Sequence, residues 1–86
     1  MKRGLIALSL AGHDKNNFMV VLDANEKEAL VCDGKSRRLE KPKRKNIIHL
    51  KATTKSLDEK ILESNRSIRI ALGQLKKASN DSKQRW

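Results

Sequence analysis

Phe18 to Lys45 reads FMVVLDANEKEALVCDGKSRRLEKPKRK, and the fold turns on how this stretch is divided. Phe18–Leu22 is bulky and β-branched, the strongest strand signal in the chain. Asp23–Lys27 is a polar turn around Asn25, and Glu28–Cys32 is a further strand. Asp33-Gly34 suits a two-residue hairpin turn, because both central positions must accept positive φ. The turn predicts a strand over Lys35–Leu39 folded back onto Glu28–Cys32. Side chains alternate along a strand, so Leu39 should point inward while Arg38 and Glu40 face water. Pro42 then stops regular pairing.

Working outward, Leu5–Leu10 (LIALSL) is apolar and too short to favour a helix, so it reads as a strand. Ala11–Asn17 (AGHDKNN) is a turn-rich loop, and Ile47–Leu50 (IIHL) a short fifth strand. Five short strands within fifty residues, joined by tight turns, predict a mainly β domain, a small five-stranded antiparallel barrel over residues 1–52. Met1-Lys2-Arg3 before Leu5–Ala11 has the outline of a signal peptide. The apolar run is at the lower limit for one, and Lys15 and a second apolar strand follow at once, so the strand reading is preferred.

Composition changes after Leu50, and residues 53–86 read as linker, helix and flexible tail. Ser56-Leu57-Asp58-Glu59 matches a capping box, in which the serine hydroxyl and the glutamate satisfy early backbone N–H groups. Leu57, Ile61, Ile68, Leu75 and Ala78 fall at helical spacing, with Ser64 and Ala71 completing the stripe. They predict one helix from about Leu57 to Ala78, to which Gly73 is unfavourable by about 1 kcal/mol relative to alanine. The stripe is too thin for a self-sufficient coiled coil. The helix either packs on the open end of the barrel or projects a basic face onto a partner. Residues 79–86 read as a frayed tail; its Trp86 could stack on a base, though a disordered terminal tryptophan is the commoner case.

The chain has 86 residues and a net charge of +10, with +5 in each of residues 1–50 and 51–86. A small protein this basic suits a polyanion. Seven of the eleven residues from Lys35 to Lys45 are basic: Lys35, Arg37, Arg38, Lys41, Lys43, Arg44 and Lys45. Charges this close repel one another unless water, salt or a polyanion screens them, so the run is either a solvated loop or a phosphate-binding surface. Arginine forks onto phosphate or stacks on bases, whereas lysine acts as a point charge. Arg66, Arg69, Lys76 and Lys77 offer a second set of cations on the helix. With one Phe and one Trp, base-stacking platforms are scarce, which favours recognition of folded RNA by shape and backbone.

Catalytic signals are missing. There is no phosphate-binding glycine loop, no paired-carboxylate arrangement and no zinc spacing, so no cofactor, metal or small-molecule substrate is expected, and an enzyme is not expected. Cys32, the one cysteine, sits in an apolar strand and reads as a buried inert thiol, consistent with a reducing cytoplasm. His13 and His49 could titrate or stack, but a surface loop histidine and a partly packed strand histidine are the simpler roles. No stretch approaches the roughly 20 apolar residues of a membrane span.

The ordered fragments Leu8–Lys15, Phe18–Val21, Cys32–Lys35, Leu39–Lys45 and Ile48–Leu50 together resemble KOW-motif proteins. They are most similar to small bacterial KOW proteins related to a eukaryote- and archaeon-type large-subunit ribosomal protein. The resemblance covers Gly4 to Leu50 and does not reach the helix. It implies a Src-homology-3-like barrel that binds RNA, commonly ribosomal RNA, with the loop between the first two strands as a contact point. Here that loop is Gly12–Asn17, which brings in Gly12, His13, Lys15 and Asn16. Asn16 stands where the family usually has glycine, and asparagine is the side chain most tolerant of left-handed backbone.

The leading expectation is a cytoplasmic RNA-binding protein on folded ribosomal RNA of the large subunit, with neighbouring ribosomal proteins as further partners. The alternative is a protein-interaction adaptor in a transcription or translation complex. An anionic-membrane binder fits poorly, because such helices need a large apolar face.

Overall fold

A computed structural model describes residues 1–12 and 15–84 of the chain, with 77–84 described by backbone alone. Three apolar segments and two polar ones form five strands: β1 (Leu5–Ser9), β2 (Phe18–Ala24), β3 (Glu28–Cys32), β4 (Lys43–Asn46) and β5 (Leu50–Ser56). They make one antiparallel sheet in the order β4-β3-β2-β1-β5. The protein is mainly β, with helical structure at its C-terminal side. Among the described residues the ladder ends at β4 and β5, which do not pair with each other. The sheet is therefore open, where a closed barrel was expected. A single 3-10 turn, Ile47–His49, joins its two edge strands. Irregularities at Val21/Asp23 in β2 and Leu5/Ala7 in β1 interrupt the regular ladder. Such irregularities bend strands and raise their twist.

β1, β2 and β3 and the Asn25 turn lie where the sequence places them. The Asn25 carboxamide oxygen accepts from Lys27 N and Glu28 N, both at 2.8 Å, which is the local mechanism of an Asx turn. The last two strands are displaced. Lys35–Leu39 is not a strand but part of a loop, and β4 starts only at Lys43, after Pro42. The Asp33 carboxylate explains this. Its Oδ1 accepts from Lys35 N at 2.9 Å and Arg37 N at 2.8 Å, so these backbone donors are taken before a ladder can use them. Ile47–His49 is a 3-10 turn, because Asn46 Oδ1 accepts from Ile48 N and caps it. The last strand begins at Leu50, where the sequence reading ended it. Its polar residues leave no apolar alternation to detect, and Thr53 Oγ1 donates to Ile6 O at 2.7 Å.

Strand alternation gives the sheet two apolar faces. Ala7, Met19, Val21, Ala29, Val31 and Leu50 form the core on one side. Ile6, Val20 and Cys32 face the other side, where they meet Leu62, Ile68 and Leu72. The C-terminal segment thus completes the second core, and its apolar stripe packs on the sheet rather than projecting away from it. A boundary at residue 52 would cut through β5, which pairs with β1 as far as Ser56↔Leu5.

The single predicted helix is two: α1 (Glu59–Leu62) and α2 (Asn65–Gln84). Ser64, one position of the predicted stripe, restarts the helix. Its carbonyl accepts from Ile68 N at 3.1 Å and its hydroxyl from Ser67 N at 3.4 Å. The expected capping box is not formed. Ser56 stays in β5, Asp58 is the cap residue of α1, and Glu59 instead accepts from Arg3 Nε at 2.9 Å. That ion pair is exposed and contributes little stability. The backbone of α2 continues past Ala78 to Gln84, through most of the segment read as a tail; Trp86 lies outside the described residues.

Ile68 has no exposed surface. Replacing it with alanine should cost about 2–5 kcal/mol in urea denaturation. A cost below about 1 kcal/mol would mean that α2 is not part of the fold's core.

Candidate nucleic-acid interface

In an antiparallel meander, alternate connections leave from the same end of the sheet. Leu8 pairs with Phe18 and Val20 with Cys32. The loop before β2 and the loop after β3 therefore emerge side by side at the start of β2. These are the two segments the sequence singled out, Gly12–Asn17 and Asp33–Lys45.

The longer loop is built around one glycine and one amide. Gly34 has φ +77° and lies under the first turn of α2; a Cβ there would collide with the backbone oxygen of Asn65 and sit 3.0 Å from Arg69 N. Only glycine combines that dihedral with that approach. Farther along, Leu39 N donates to Asn65 Oδ1 at 2.8 Å, and Asn65 Nδ2 donates to Glu40 Oε1 at 2.6 Å. Leu39 packs against the helix-side core, as its predicted inward orientation requires. The loop is therefore seated on α2. Asn65 escaped the sequence reading, since an asparagine in a predicted helix interior signals nothing about a partner 26 residues away.

The seven cations separate into three groups. Lys35, Arg38 and Lys41 are exposed on the loop, with Arg37 and Lys43 half-buried beside them. Arg37, Arg38, Lys41 and Lys43 border one open recess of about 500 Å³, with Pro42 and Glu40. Arg44 is exposed on the opposite face of β4 and lines a different recess with Asp23 and Glu28. Lys45 is only 7% exposed, and its Nζ donates to Ala11 O at 2.8 Å. Alternation along β4 accounts for the split, since Lys43 and Lys45 share one side and Arg44 takes the other. Lys45 is thus a tie between β4 and the first loop, not a surface cation, and Arg44 lies beside carboxylates rather than within the loop's cationic group.

Of the first loop, Gly12, Lys15 and Asn16 are exposed, and His13 lies outside the described residues. Asn16 has φ +69°, the left-handed conformation expected of it, and its N–H donates to Ser9 O at 2.7 Å. Lys45 Nζ lies 3.6 Å from the position a Cβ would occupy on Gly12, so the tie reaches the loop's own turn. On α2, Arg66, Arg69 and Lys76 are exposed; the side chain of Lys77 lies outside the described residues. His49 is exposed on the 3-10 turn, not packed in a strand.

Cys32 is fully buried, and desolvation, with Asp33 second, pushes its thiol up to about 11. It stays protonated at neutral pH and is a poor nucleophile. Among the described residues no group of three or more His, Cys, Asp or Glu side chains could hold a metal. None of the described helices is long and apolar enough to cross a membrane. No protein-family model matches the chain, and no curated protein matches it significantly.

Lys41 and Lys45 look alike in sequence but should differ in substitution. Lys45→Ala, which removes the charged donor that Ala11 O accepts from alongside Ser9 Oγ, should cost about 1–3 kcal/mol in thermal or urea unfolding. Lys41→Ala should stay within about 0.5 kcal/mol of wild type. Equal costs would contradict the structural role of Lys45.

Proposed function

We propose that this protein binds folded RNA through the end of the sheet that carries both loops. The observation that carries the reading is that the two loops leave the sheet at one end, with Lys15 exposed on the first and Lys35, Arg38 and Lys41 on the second, while Arg69 and Lys76 of α2 border one recess with Lys35. Exposed cations drawn from three separate segments repel one another, and a polyanion relieves that repulsion by releasing its condensed counterions. The resemblance to KOW-motif proteins points the same way and supplies the narrower reading: ribosomal RNA of the large subunit, in the cytoplasm, beside other ribosomal proteins. The cationic surface lies on a packed fold and offers few stacking side chains, which suits structured RNA over extended single strands.

Fluorescence anisotropy with a structured RNA tests the reading. Affinity should fall by at least about a hundredfold between roughly 50 and 200 mM salt. Arg38→Gln with Lys41→Gln should lower the slope of log affinity against log salt by about two. A salt-independent interaction, or an unchanged slope in the double variant, would refute the assignment. Sucrose-gradient sedimentation of lysate tests the ribosomal part: co-migration with the large subunit at moderate salt supports it, and a protein left at the top of the gradient contradicts it.

A further inference from the structure

A third recess lies between the loop and α2, distinct from the one around Pro42 and from the one beside Arg44. Phe18, Leu72 and Gly73 provide its apolar floor, and Lys35, Arg69 and Lys76 stand around it. Its volume is about 340 Å³, at the lower end of the roughly 300–1,000 Å³ typical of small-ligand sites. Asp33 also borders it, but Asp33 Oδ1 is held by the N–H groups of Lys35 and Arg37.

Gly73 is the informative residue. It sits inside α2, where glycine is less favourable than alanine. Gly34 and Gly4 have reasons inside the fold, since a Cβ on either would strike backbone. Gly73 has none: no described atom beyond its own helix neighbourhood lies within 4 Å of a Cβ built there. Its missing side chain serves no packing contact among the described residues. What it leaves open is the helix wall of this recess, where a bound group can approach the backbone of α2 closely.

An apolar floor with a cationic rim matches a base and its flanking phosphates better than a phosphate alone. We propose that this recess holds one unpaired nucleotide of the bound RNA. Its base lies over Phe18, Leu72 and Gly73, and its phosphates meet Lys35, Arg69 and Lys76. The assignment rests on the RNA-binding reading and narrows it: the preferred RNA is a duplex region interrupted by an unpaired residue. α2 then serves both as core element and as wall of the site.

The test compares a blunt RNA duplex carrying a single-nucleotide bulge with the same duplex fully paired, by fluorescence anisotropy. Wild-type protein should bind the bulged duplex about tenfold more tightly, the gain of roughly one stacked base. Gly73→Gln fills the recess without changing charge; it should abolish that preference while leaving affinity for the paired duplex within about threefold. Gly73→Ala should raise the melting temperature and weaken only the bulged complex, which keeps the test free of folding defects. Equal wild-type affinity for the two duplexes, or a preference that survives Gly73→Gln, would overturn the nucleotide site and leave RNA binding standing. Failure of wild type to bind either duplex would overturn the RNA reading as well. Displacement of the bulged duplex by poly-glutamate as readily as by RNA of equal charge would assign the recess to an acidic protein segment instead.

Discussion

The carboxamide of Asn65 joins the sheet's longest loop to the helix that covers one of its faces. It accepts from Leu39 N and donates to Glu40, while its own backbone oxygen lies against Gly34 at the other end of the same loop. Two ends of one loop are thereby fixed to a single helical turn. That turn is in turn fixed by Ile68 and Leu72 in the core beneath it. Without this seat, the charges from Lys35 to Lys43 would drive the loop to extend into solvent, as like charges do. With it, they are held at one end of the sheet beside the first loop.

Holding cations together carries an electrostatic penalty that a domain of 86 residues has little surplus stability to absorb. The structure limits the penalty by dispersal. Lys45 is taken into the fold by a backbone carbonyl, Arg44 lies on the other face of β4 and borders a recess with Asp23 and Glu28, and Glu40 is kept at the loop by Asn65. What remains on the surface is a smaller set of exposed cations, spread over the two loops and α2. Salt would weaken their mutual repulsion, and a phosphate backbone would outweigh it with attraction.

Much of the fold was legible because it rests on local physics. The first three strands follow from dense β-branched and apolar runs, and the Asn25 turn from one side chain's hydrogen bonds. The left-handed Asn16 follows from the tolerance of asparagine for that backbone. What was missed depends on partners distant in sequence or on competing local bonds. Asp33-Gly34 carries the residues of a hairpin turn, yet the Asp33 carboxylate closes a wider loop and Gly34 serves a helix that follows far later. β5 has too few apolar residues to signal itself, and its pairing is settled by backbone bonds to β1. Ser64 read as an interior position of one helix and is instead the cap of a second. In the site, residue type alone made Lys41, Arg44 and Lys45 equivalent. Only the alternation of β4 and the position of the first loop separate them.

The central claim is that RNA meets the end of the sheet where the two loops and α2 converge. Amide chemical-shift mapping of the labelled protein during titration with a structured RNA tests it most directly. The account predicts that perturbations concentrate at Gly12–Asn17, at Lys35–Lys43 and along Arg66–Lys76, with the turn at Asn25 and the outer strand β5 unmoved. Perturbations centred on β5 or on the Asp23–Glu28 turn, with the two loops silent, would contradict it.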